Sequence, residues 1–114
     1  MTDTIFGKIA RGEIPADLVY EDEDVLAFPD LSPQAPVHLL VIPRKPIPTL
    51  DDAQPEDAQL LGRLLLAAAK AARAAGIAES GYRAVLNCNA GGGQAVFHLH
   101  LHVLGGRPFK WPPG

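Results

Sequence analysis

The stretch Ala95–Gly106 reads "AVFHLHLHVLGG", and in it His98, His100 and His102 alternate with Leu99, Leu101 and Val103. Alternation at a spacing of two marks a β-strand, whose successive side chains point to opposite faces. The pattern predicts a strand over Ala95–Gly105 with an imidazole face and an apolar face, the apolar one resting on a helix. The remaining histidine of the four is His38, in "APVHLLV". Three imidazoles buried as filler would each need partners for their ring nitrogens. The row is therefore read as functional.

Working outward, "NAGGGQ" joins this strand to a preceding one, "YRAVLNCN" (Tyr82–Asn89). Upstream, Leu61, Leu65, Ala68 and Ala72 repeat at the period of an amphipathic helix spanning Leu60–Ala75. Pro55 suits its first turn, Glu56 and Asp57 sit beside its positive pole, and Gly76 closes it. "VHLLVIP" (Val37–Pro43) is a continuous apolar run and reads as a buried strand. Leu18–Tyr20 and Val25–Phe28 flank the acidic Glu21–Asp24 and read as a hairpin. Near the start, Ile5, Phe6 and Ile9 lie one turn apart before Gly12, which predicts a short helix. The tail "GRPFKWPPG" carries three prolines in nine residues and reads as irregular. Helix, three strands, long helix, two strands is the order of an α+β domain with an antiparallel sheet, one domain over residues 1–114.

Composition narrows the function classes. The apolar fraction is 47% and the charged fraction 20%, values of an ordinary globular domain. A net charge of −3 with ten scattered Lys and Arg offers no electrostatic footprint for nucleic acid. The single cysteine, Cys88, excludes an intrachain disulfide and a cysteine-rich zinc site. No signal peptide and no apolar run of about 20 residues are read in the sequence, so the expectation is a cytoplasmic protein without a membrane partner.

Two chemistries suit a row of imidazoles. Two rings of the row with His38 could share a zinc ion, but the outer pair of the row lies ~13 Å apart along a strand. The sequence also offers no further ligand at a characteristic spacing. Phosphate chemistry is favoured, because Gly91, Gly92 and Gly93 stand just before the row and glycine-rich turns can aim backbone N–H groups at phosphate oxygens. A neutral imidazole can attack phosphorus without a separate base, and its neighbours can hydrogen-bond the oxygens. His100, flanked on both sides, is best placed to attack.

His98-Leu99-His100-Leu101-His102-Val103-Leu104 resembles the signature of the histidine triad (HIT) superfamily. "DTIFGKI", "EIPA", "FPDLSPQAPVHLLVIP", "GYRAVLN", "GGGQAVFHLHLHVLGGR" and "WPPG" are similar to its Hint branch of nucleotide-binding proteins, from Asp3 to Gly114. The resemblance implies a five-stranded antiparallel sheet with one long and one short helix. It implies a homodimer formed through the long helix and one strand. The implied reaction is hydrolysis of purine nucleoside phosphoramidates, AMP joined to an amine, through a nucleotidyl-histidine, with no cofactor and no metal.

Carried over, the resemblance makes His100 the nucleophile, His98 its orienting neighbour and His102 the group on the phosphate and leaving-group side. His38 becomes a fourth member bonded within the cluster. Asp30 would accept both ribose hydroxyls, with Leu31 beside it and Asn87 near the phosphate. Gly93, Gln94 and Ala95 match the loop whose backbone approaches the phosphate. Ile5, Phe6, Ile9, Ile14 and Phe28 match apolar positions around the purine. Two departures stand out: Ala95 where the family often has serine, and Pro29 where relatives have histidine. Loss of that serine hydroxyl implies weaker help to the departing amine. Lys110 and Trp111 lie in a tail that reaches, in the family, toward the partner's site. Trp111 could equally anchor the tail on apolar surface. Dinucleoside polyphosphate hydrolysis, as in the Fhit branch, is the alternative reaction, and a nucleotide-binding regulatory module the alternative class.

Overall fold

A computed structural model describes residues 3–114. Thr4 opens α1 (Ile5–Ala10) by accepting the Gly7 N–H on its hydroxyl at 3.0 Å. Strands β1 (Tyr20–Glu21), β2 (Val25–Pro29) and β3 (Val37–Pro43) follow. A single 3-10 turn at Pro55–Asp57 leads into α2 (Ala58–Ala74), and Asp57 accepts the Gln54 N–H at 2.8 Å to cap the entry. Then come β4 (Tyr82–Val85) and β5 (Leu101–Gly105). Gly12 and Gly76 stop the two helices at φ 77 and 79, a backbone that L residues avoid.

The strands form one antiparallel sheet in the order β1-β2-β3-β5-β4. Its two faces differ. Val25, Ala27, Leu39, Val41, Leu101 and Val103 pack with Leu99 under α2. Leu26, Phe28, Leu40 and Ile42 point the other way and pack against Phe6 and Ala10 of α1. Register puts His102 opposite Leu40, and His38 opposite Leu104, on this second face. A Cβ on Gly105 would lie 2.7 Å from Ile77, so the end of β5 accepts only glycine if the turn after α2 is to pack there.

Three expectations are corrected. The paired part of β5 begins at Leu101 and that of β4 ends at Val85, both shorter than the sequence pattern predicts. Only His102 of the row lies in the ladder. The buried stripe of α2 is Leu64, Ala67, Ala68, Ala71 and Ala72, while Leu65 is 58% exposed. Ala68 and Ala72 are buried as the period predicts and Leu61 packs against the core, but Leu64 replaces Leu65, because Leu64–Leu66 offers three leucines and only packing selects which turns inward. In the tail, Phe109 is the anchor, held between the Arg83 and Arg107 guanidiniums, and Trp111 is exposed.

Candidate active site

Residues 94–100 are held outside the ladder by bonds to the end of β3 and the segment after it. Pro46 and Pro48 deprive the segment after β3 of N–H groups and keep it from pairing as a strand. Its carbonyls are free to accept instead. His98 Nε2 donates to the Pro43 carbonyl at 2.8 Å, the Leu99 N–H to that of Ile47 at 2.7 Å, and Gln94 Nε2 to that of Pro48 at 2.8 Å. Sequence reasoning missed these three acceptors. The proline spacing was the available signal.

His98 is thereby a buried anchor, and what it offers the next histidine is its main chain. His100 Nδ1 lies 2.8 Å from the His98 carbonyl oxygen. A carbonyl only accepts, so Nδ1 carries the proton, and in the neutral ring Nε2 keeps its lone pair. His102 Nδ1 faces His38 Nε2 at 2.9 Å, while His38 Nδ1 accepts the Gln34 N–H at 3.0 Å. The Gln34 donor sets the proton of His38 on Nε2, so His102 accepts on Nδ1 and its own N–H is on Nε2. Three rings of the same type thus present an anchor, a lone pair and a donor.

Burial pushes the His102 pKa from 6.5 down to about 4; the neighbouring rings of His100 and His38 add to this and Asp30 opposes it. Burial likewise lowers that of His98. Both rings are neutral near pH 7, as their bonding requires.

Beside the triad opens a cavity of about 470 Å³, lined by Ile5, Phe6, Ile9, Ile14, Phe28, Asp30 and Leu31 among others. That is the size of a small-ligand pocket. All seven of these were expected from sequence around a nucleoside. Phe6 joins cavity to chemistry: its ring meets Phe28 edge-on at 5.8 Å and His100 at 5.0 Å. Asp30 supplies the carboxylate. Its Oδ1 accepts the Ser32 N–H at 2.8 Å and its Oδ2 lies 3.4 Å from His38 Nε2.

The glycine turn works differently from expectation. The N–H groups of Gly92, Gly93 and Gln94 donate to the carbonyls of Asn89 and Ala90 within the turn itself. The Gln94 side chain is buried and spends its oxygen on the Asn89 N–H and its nitrogen on Pro48 and Val96. Gln94 is thus a brace, and the first backbone donors past the turn are those of Ala95 and Val96. Asn87 stands against this turn: a Cβ on Gly93 would lie 3.9 Å from its Nδ2.

Asp30, His38 and His102 place ligand atoms within 4.8 Å of one another, the geometry from which a metal site could be built. Their protonation does not suit one. Ligation through His38 Nε2 would move the proton to Nδ1, directly against the Gln34 N–H.

Comparison with known proteins agrees with this geometry. A family model of the HIT domain matches residues 11–109. A purine nucleoside phosphoramidase of Escherichia coli K12 is 57% identical over 106 residues, 93% of this chain and 89% of that protein. An uncharacterized HIT-like protein of Synechocystis is 62% identical, covering 98% and 97%. Among solved structures, a HIT family hydrolase from Legionella pneumophila superposes with a TM-score of 0.94 at 55% identity, covering 98% of this chain and all of that one.

Proposed function

The chain belongs to the HIT-domain family, and from that membership we propose that it is a purine nucleoside phosphoramidase, a hydrolase that cleaves AMP from an amine. The observation that carries the chemistry is the hydrogen bond from His100 Nδ1 to the His98 carbonyl, which leaves the Nε2 lone pair free beside a nucleoside-sized cavity.

The purine lies among Ile5, Phe6, Ile9, Ile14 and Phe28, and the ribose hydroxyls donate to Asp30 beside Leu31. His100 Nε2 attacks the α-phosphorus. The P–N bond of the substrate breaks, its electron pair leaves with the nitrogen, and that nitrogen takes a proton from solvent and departs as the amine. As the new bond forms, the His100 ring becomes cationic and its Nδ1–H bond to the His98 carbonyl strengthens. The interaction is therefore worth more in the transition state than before it. His102 Nε2–H serves the phosphate oxygens on the leaving side, with Ala95 and Asn87 nearby in the loop. Water then attacks the same phosphorus and gives a proton back to solvent, the electron pair of the P–Nε2 bond returns to His100, and AMP leaves. No step calls for a metal or a cofactor.

Two outer features support a homodimer. Leu65 and Leu66 of α2 are exposed, and β4 ends the sheet with an unpaired edge. Pairing of two β4 edges with two α2 helices gives a ten-stranded sheet. Leu65→Glu with Leu66→Glu is expected to halve the mass seen in equilibrium sedimentation. No helix of the described residues is long and apolar enough to cross a membrane. With one cysteine and no charge pattern for nucleic acid, the cytoplasm is the compartment we assign.

The test is a rapid quench during turnover of an AMP–amine, followed by mass spectrometry. AMP attached to His100 is the expected result. Substrate consumed with the ring never modified overturns the mechanism. Faster turnover of diadenosine polyphosphate than of the AMP–amine replaces the substrate class.

A further inference from the structure

His38 stands between Asp30 and His102. Its Nδ1 is occupied by the Gln34 N–H, so its one proton sits on Nε2. His102 Nδ1 takes that proton in a hydrogen bond at 2.9 Å, and the Asp30 carboxylate, with Oδ2 3.4 Å from Nε2 and outside hydrogen-bond geometry, pulls on it electrostatically. The other oxygen of Asp30 is already held by the Ser32 N–H at 2.8 Å. His38 and Asp30 cannot drift apart, because the Asp30 N–H donates to the His38 carbonyl at 2.9 Å. The His38 ring is 4% exposed, which keeps water from relieving the competition, while Asp30 at 20% still opens to the cavity.

We infer that His38 is a positioning residue that couples recognition of the sugar to the chemistry at phosphorus. A cis-diol donating to Asp30 offsets the electrostatic pull of Oδ2 on the His38 N–H, and that N–H then serves His102 Nδ1 alone. An imidazole that accepts a full hydrogen bond on one nitrogen is a stronger donor at the other, since bonds in a chain polarise one another. His102 Nε2–H is strengthened where the phosphate oxygens lie, and its ring is held in one orientation. The sugar hydroxyls then enter kcat as well as KM. A carboxylate that merely held the sugar would show them in KM alone. The inference rests on the nucleoside reading of the cavity.

The direct measurement is the 15N shift of His102 Nδ1 in protein saturated with adenosine, compared with 2′,3′-dideoxyadenosine. Neither ligand carries a phosphate, so a shift change at His102 must travel from the sugar. Adenosine is expected to move the resonance toward a stronger accepted hydrogen bond, dideoxyadenosine to leave it, and His38→Gln to abolish the difference. In turnover, removing both hydroxyls from an AMP–amine is expected to lower kcat about three- to tenfold, the worth of one net hydrogen bond. His38→Gln should shrink that ratio toward one. Adenosine binding with an unmoved His102 resonance, or dideoxy substrates changed in KM only, overturns the coupling while leaving the phosphoramidase reading intact. If calorimetry finds that neither nucleoside binds, Asp30 is not the sugar acceptor, and the coupling falls with that reading.

Discussion

Leu99, Leu101 and Val103 on one side, and His98, His100 and His102 on the other, come from the same six residues of chain, and they behave as two different kinds of structure. The apolar trio sits in one cluster under α2 and its members do the same job. The histidines have three different sets of partners: the carbonyl of the last residue of β3, the main chain of their own row, and another ring. On the apolar side, identity of residue type is identity of role. On the imidazole side the role is set by the partner, since a ring nitrogen is a donor or an acceptor according to what faces it.

The comparison breaks most readily at His100. His100→Ala is expected to lower kcat/KM by more than about a thousandfold, as loss of a nucleophile does, with the thermal midpoint nearly unmoved. Activity within tenfold of the parent would show that the lone pair assigned to Nε2 is not the attacking one. On the other side, Leu99→Ala should cost roughly 3 kcal/mol of stability through transfer and cavity terms, measured by urea unfolding. Its kcat should stay within a few-fold. A large kcat loss without destabilisation would mean that the two sides do not divide the labour as described.

Smaller effects sharpen the contrast. Ala95→Ser restores a hydroxyl at the first donor position past the glycine turn, and is expected to raise turnover of AMP–amines by about tenfold or more, the worth of a charge-assisted hydrogen bond. An unchanged rate would detach Ala95 from the leaving-group step. The mildest test uses pH. The folded-state pKa of His102 is depressed by burial to about 4 from 6.5, and that of His98 is depressed too. Below pH 6.5 the unfolded chain takes up protons that the folded rings refuse. The stability they contribute is therefore complete above about pH 6.5 and is lost as pH falls toward 4. The melting temperature should be level above neutrality and decline through that window, less steeply in His102→Gln. A melting curve insensitive to pH between 6.5 and 4 would mean that the rings are not buried neutral.

Much of this was legible in the residues. Alternation over 98–103 declared two faces, "VHLLVIP" is β3 to the residue, and the first-turn signals around Pro55 place α2 correctly. The cavity lining was legible through resemblance to the family. What escaped were features that depend on a distant partner. The leucine that α2 buries, the early end of the β4–β5 ladder and the self-satisfied glycine turn all follow from contacts with other segments.

Periodicity is a local property, since a chain of L residues has few regular conformations and each has its own repeat. The sequence by itself therefore determined the elements, the two-faced strand and the membership of the triad. The sequence also singled out His100 as best placed to attack, and only the tertiary structure decided where the ring protons sit. Those protons are placed by the Pro43 carbonyl, 55 residues from His98, by the ring of His38, 64 residues from His102, and by the His98 carbonyl beside His100. No repeat along the chain records partners that folding brings from so far away.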